Sequence, residues 1–191
     1  MHKSQIICIS GTRKSGKDTL LKFLHALDFR ITRLAFADKL KEDLTPLLLE
    51  QFGIDPFDCD DKSKELIRPI MIAYGCAWRE TDENHWVKEV VYSAKKIHAV
   101  NNSTIVAISD VRFMNELSYF RKEYKENMFH IDVSRVGAPK PTDEEEKHFE
   151  GIRALADYRL NWGEDKPAQI FEKTNVVYQW LLSKGLEPRE A

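Results

Sequence analysis

The stretch Ile6-Ile7-Cys8-Ile9-Ser10-Gly11-Thr12-Arg13-Lys14-Ser15-Gly16-Lys17-Asp18-Thr19 decides the fold. Its first four residues form an unbroken apolar run, as a strand buried on both faces requires. Two glycines and two lysines follow, and from about Asp18 the residues Leu20, Leu21, Phe23, Leu24 and Leu27 repeat with helical spacing. Strand, glycine-rich turn and helix in that order make GxxxxGK a phosphate-binding turn. The glycines let backbone N–H groups curl around phosphate oxygens, Lys17 supplies a cation to the β and γ oxygens, and the helix adds its positive end.

Gly11, Lys14, Ser15, Gly16, Lys17, Asp18 and Thr19 are therefore expected to hold ATP with Mg2+. Asp18 stands where the usual pattern has Ser or Thr. It is the candidate metal residue, binding magnesium directly, through water or with help from Thr19.

Working outward, residues 31–37 read as a second strand and 39–52 as a helix closed by Gly53. Helices are expected over 62–74, bent at Pro69, and over 83–100. A central strand covers 104–109 (TIVAIS), a helix 115–124, strands 129–134 and 158–160, and a last helix 167–183. Residues 137–150, rich in proline and acid, read as a mobile excursion, with 143–146 a solvated face. Strands alternating with helices predict an α/β fold with a parallel five-stranded sheet flanked by helices.

The chain has 191 residues, 42% hydrophobic and 31% charged, which fits one globular domain over 1–191. Its net charge of −2 argues against a polyanion such as DNA as the main partner, so no direct nucleic-acid binding is expected. Cys8, Cys59 and Cys76 lack CxxC spacing and metal-spaced histidines, which argues against disulfides and zinc. No apolar stretch nears the roughly 20 residues of a membrane span, and a cytoplasmic protein is expected.

Charge compensation is the main demand of phosphoryl transfer. Arg13, Arg68 and Arg112 join Lys17 as catalytic candidates, with Arg68 and Arg112 suited to clamp an acceptor phosphate. Asp110 and Arg112 are expected just past the end of the TIVAIS strand, where ligands of open α/β sheets bind. Trp86 is a candidate to stack on a base, with core packing as its alternative. Glu116 could be a helix-dipole complement, and Arg135 opens a lid candidate at about 136–153.

SGTRKSGKDT, LAFADKLK and ISDVRFMNE, taken together, resemble the deoxynucleoside monophosphate kinases of bacteriophages over residues 10–116. The turn, the short chain and the SDxR strand end are also similar to animal phosphomevalonate kinases. Both resemblances imply a P-loop NTPase of the NMP kinase-like class, with an acceptor-binding helical region at about 38–100 and a lid. The phage resemblance implies that Arg13, Lys41, Arg68, Gly75, Trp86, Asp110, Arg112 and Glu116 hold the acceptor, and Lys14 to Thr19 hold ATP. It implies conversion of deoxynucleoside monophosphates to diphosphates, small-molecule nucleotides as partners, location in a host cytoplasm, and a homodimer as one arrangement. The chain departs from that pattern at Gly75-Cys76, where the family has Gly-Thr, at Pro69, and at His148-Phe149-Glu150 near the lid.

Overall fold

A computed structural model describes residues 4–28 and 30–186. Its elements run β1 (Gln5–Ser10), α1 (Lys17–Leu27), β2 (Ile31–Leu34), α2 (Phe36–Phe52), α3 (Asp61–Thr81), α4 (His85–Val100), β3 (Ile105–Val111), α5 (Met114–Tyr124), β4 (Met128–Arg135), α6 (Asp143–Ala154), β5 (Tyr158–Trp162) and α7 (Pro167–Ser183). The five strands form one sheet in the order β2-β3-β1-β4-β5, every neighbouring pair parallel.

The chain divides into two compact units, Met1–Leu34 with Ser93–Ala191, and Ala35–Tyr92. The first holds the sheet. Alternation along the strands sends Ile7, Ile9, Ile105, Ala107, Phe129, Ile131 and Val133 into a core shared with Leu20, Leu24, Val177 and Leu181 of α1 and α7. Ile6, Cys8, Val106 and Ile108 point the opposite way and are fully buried as well. The apolar run read from the sequence is thus a central strand covered on both faces.

At one end of this core Asp28, which is completely buried, accepts hydrogen bonds from the Arg30 backbone N–H at 3.1 Å, Arg30 Nη2 at 2.6 Å and Tyr178 Oη at 3.1 Å. Burial alone would raise its pKa, but these bonds outweigh burial and hold it below the ordinary value.

The second unit is helical. Leu44 and Leu48 of α2 pack with Ile67 of α3, and Gly75 lies so close to α2 that a Cβ there would meet Leu40 Cδ1 at 2.8 Å. Trp86 is 3% exposed, and its Nε1 donates to the Gly75 carbonyl at 3.1 Å. That leaves almost no surface for a base to stack on, so packing is the role observed. Leu47, Phe52, Phe57 and Ile72 are about half exposed here, and Leu66 more so.

Several element boundaries differ from the sequence expectation. The second strand stops at Leu34, and Phe36 already begins α2 because extended Ala35 marks its start. Helix α3 runs on through Pro69 to Thr81, started by the Asp60 carboxylate, which accepts from the Ser63 N–H at 2.7 Å. Residues 143–154 form a helix where a mobile excursion was expected. The cause is a capping box: Thr142 Oγ1 accepts from the Glu145 N–H at 3.3 Å, and Glu145 Oε2 accepts from the Thr142 N–H at 2.9 Å. No helix among the described residues is long and apolar enough to cross a membrane.

Candidate active site

The turn between β1 and α1 takes a shape that its residues permit and few others would. Gly11 has φ +134°, and a Cβ there would lie 2.1 Å from the Val133 carbonyl oxygen. Gly16 has φ +93°, and a Cβ would enter the Trp162 ring at 2.6 Å. Only glycine fits both places. Lys14 between them also has positive φ, at 59°, so the backbone alternates in handedness as an anion-binding nest does.

Helix α1 begins at Lys17 with Gly16 as its cap, a residue with no side chain to bond the first N–H groups. Helices α3 and α6, by contrast, spend a side-chain oxygen on theirs. Ser15 Oγ is buried with no hydrogen-bond partner among the described residues. Open first-turn amides, a glycine cradle and a buried unpartnered hydroxyl fit a bound triphosphate. When bound, ATP supplies the transferable phosphoryl group; Lys14, Ser15, Gly16, Lys17 and Thr19 would hold it.

Lys17 is 8% exposed, and its Nζ donates to the carbonyls of Gly11 and Thr12 at 2.7 Å each. Burial first, then the neighbouring Arg112 charge, lower its pKa to about 8, against the pull of Asp18, Asp110 and Glu145. Arg112 also lines the cleft beside Gly11 and Thr12, whose carbonyls hold the Lys17 ammonium. Two cations that repel each other in one place are suited to an anion of more than one charge.

Arg112 follows the end of β3. There β3 contains one residue more than β1 between paired positions, since Cys8 pairs with Ile108 but Ser10 with Val111. Such a bulge re-aims side chains. Asp110 was expected past the strand and lies within it, at this bulge. Glu116, a candidate for holding the acceptor, is 3% exposed and its Oε2 accepts from the N–H groups of Arg112 at 2.8 Å and Phe113 at 3.1 Å. It fixes the backbone that carries Arg112.

A cleft of about 290 Å³, solvent opening included, lies beside Arg112, lined by Ser10, Gly11, Thr12, Asp132, Glu145 and Phe149 among others. Its floor is a buried polar chain. Ser10 Oγ donates to Asp132 Oδ1 at 3.0 Å and lies 2.9 Å from Nε2 of His130, which is completely buried. Burial holds His130 below its ordinary pKa, despite the Leu155 carbonyl beside it and the nearby Asp132 and Asp157 charges. Arg153 Nε approaches Asp132 Oδ2 at 3.7 Å.

Glu145 does not belong to the solvated face expected of the 143–146 run. Its side chain is 15% exposed and forms an ion pair with Arg112 Nη1. Neither Glu145 nor Asp132 was singled out from sequence, because each gains meaning only from what folds against it. Among the described residues no group of three or more His, Cys, Asp or Glu side chains is arranged around a metal position. Asp18 is exposed in the first turn of α1.

The first unit therefore brings together Gly11, Lys17, Asp110 and Arg112, with Arg13 and Lys14 exposed on the turn itself. Arg135 is exposed at the end of β4, opposite Trp162 in the strand register. In the second unit Arg68, Gly75 and Arg79 fall on one face of α3, and the Lys41 ammonium lies over the Phe57 ring at 5.1 Å.

The sequence profile of the phosphomevalonate kinase family matches residues 9–126, well over half of the chain. The chain belongs to the phosphomevalonate kinase family. A search of curated proteins found no match. Among solved structures, dephospho-CoA kinase from Campylobacter jejuni is similar at 16% identity and TM-score 0.53, over 97% of this chain and 100% of that one. Shikimate kinase from Aquifex aeolicus vf5 is similar at 15% identity and TM-score 0.51, over 96% of this chain and 100% of that one. TT1252 from Thermus thermophilus is similar at 14% identity and TM-score 0.52, over 95% and 99%. At these identities the likenesses show the fold, a P-loop kinase fold, and the expected α/β class with a parallel five-stranded sheet is the one observed. Membership of this family makes the chain a kinase-type phosphotransferase, with ATP and Mg2+ the implied donor pair.

Proposed function

We propose that the chain transfers the γ-phosphate of ATP to the phosphate of a small acceptor, a deoxynucleoside monophosphate. The observation that carries this reading is that Arg112 lines the same cleft as Gly11 and Thr12, whose carbonyls hold the Lys17 ammonium. Lys17 and the loop amides hold the donor, Arg112 the acceptor phosphate, and Glu116 keeps Arg112 in place. Asp18 and Asp110 are the carboxylates assigned on this reading to a magnesium ion that keeps most of its waters. An acceptor phosphate is already ionised near neutral pH, so the step asks for positioning and charge compensation and no general base.

On this reading Arg13 and Arg135 approach the nucleotide phosphates and 136–153 acts as a lid. A second reading, phosphomevalonate as acceptor, is favoured by the family match itself.

Incubation with ATP, Mg2+ and each of the four deoxynucleoside monophosphates, their ribo counterparts, phosphomevalonate and dephospho-coenzyme A, with ADP release as readout, separates the readings. Turnover of a deoxynucleotide, lost in Lys17→Ala with the fold retained, is expected. Turnover of phosphomevalonate alone would transfer the assignment to the second reading, and tight ATP binding with no turnover of any acceptor would sink both.

A further inference from the structure

Glu145 uses both of its oxygens at once. Oε1 pairs with Arg112 Nη1, and Oε2 accepts the Thr142 N–H at 2.9 Å that starts α6. It lines the same cleft as Gly11, Thr12 and Arg112, and its charge is felt at Lys17. A carboxylate of the chain itself therefore stands among the cations and loop residues that would receive a phosphate. At its other end α6 is tied by Arg153 to Asp132 of β4.

A phosphate dianion on Arg112 would bring two further negative charges against the half-buried Glu145 carboxylate. Like charges that close in a poorly solvated cleft exclude one another. We propose that Glu145 is an internal competitor for the phosphate subsite at Arg112, so that phosphate binding displaces the Glu145 carboxylate and frees the N-terminal half of α6. This rests on the reading of Arg112 as a phosphate-binding residue. Its consequence is that the protein lowers its own affinity for phosphate until a ligand with enough charge arrives, and that entry of such a ligand loosens the segment over the cleft.

The probe is inorganic phosphate, titrated into the full-length chain and followed by calorimetry and by hydrogen exchange across 143–154. Glu145→Gln is the informative variant, because Gln at this position still completes a capping box while its charge is gone. It is expected to bind phosphate about three- to tenfold more tightly than the parent. The gain should vanish when Arg112→Gln is added. Phosphate should also speed exchange in 143–148 of the parent.

Equal or weaker phosphate binding by Glu145→Gln, or a gain that survives Arg112→Gln, overturns the proposal, as does an absence of phosphate binding in every variant. Should Glu145→Gln fold poorly, Glu145→Asp, whose shorter side chain falls back from Arg112, must show a gain in the same direction. The functional reading is tested apart from this, by turnover of the parent chain. Persisting transfer with no effect at Glu145 sinks only the competitor, and a full competitor effect without transfer to any acceptor sinks only the kinase reading.

Discussion

Lys17 is held between two opposed demands. It must be charged to meet phosphate oxygens, yet burial and the nearby Arg112 lower its pKa from 10.5 to about 8. Two consequences follow with definite sign. In the free protein the unfolded chain binds more protons than the folded one between about 8 and 10.5, so this residue's contribution to stability rises with pH across that window. A bound triphosphate restores the positive charge, so ATP binding takes up protons in the same window and ATP affinity falls as pH climbs past about 8. Calorimetry at pH 8.5 in two buffers of different ionisation enthalpy measures that uptake, and Lys17→Met should abolish it. Uptake unchanged in Lys17→Met would place the titrating group elsewhere.

The starts of α1, α3 and α6 are closed in different ways. α3 and α6 are closed by Asp60 and Thr142, whereas α1 leaves its first turn to glycine. A capped helix is finished without a ligand, and an open one at a phosphate turn is completed by one. Thr142→Ala removes a capping hydrogen bond worth about 1 kcal/mol. It should therefore raise hydrogen exchange in 143–154 several-fold while leaving the α1 and α7 core amides unchanged. Equal loss of protection in both places would mean that α6 does not open on its own. The helix was missed in the sequence because DEEEK is the composition of a solvated loop. Its helicity depends on a threonine and a glutamate meeting three residues apart, a signature that was present as TDEE and can be read.

For the sheet unit as a whole, the knot at Asp28 joins the end of α1 to α7 across 150 residues of chain. Its pKa lies below the ordinary value, so the stabilisation is complete above the unfolded-state pKa of about 3.9 and is lost as pH falls through the folded value. Urea unfolding at a series of pH values should show stability declining in acid. Asp28→Asn should be less stable at pH 7 and should show a flatter decline. An unchanged slope would mean that other carboxylates carry the acid dependence.

The parallel sheet, the cradle and Lys17 were legible because their causes are local. A continuous apolar run buries on both faces wherever it lies in such a sheet, and positive φ at Gly11 and Gly16 is a demand that glycine alone meets cheaply. Arg112 could be named for its charge and its place near a strand end. Its partner could not, since Glu145 is 33 residues away and joins it only when α6 folds back over the cleft. The same holds for the polar floor, where Ser10, His130 and Asp132 come from two strands adjacent in the sheet but more than 100 residues apart in the chain. Backbone conformation and burial pattern are properties of short segments and travel with the amino-acid string. Which charge stands opposite which is a property of distant segments brought side by side, and packing alone sets it.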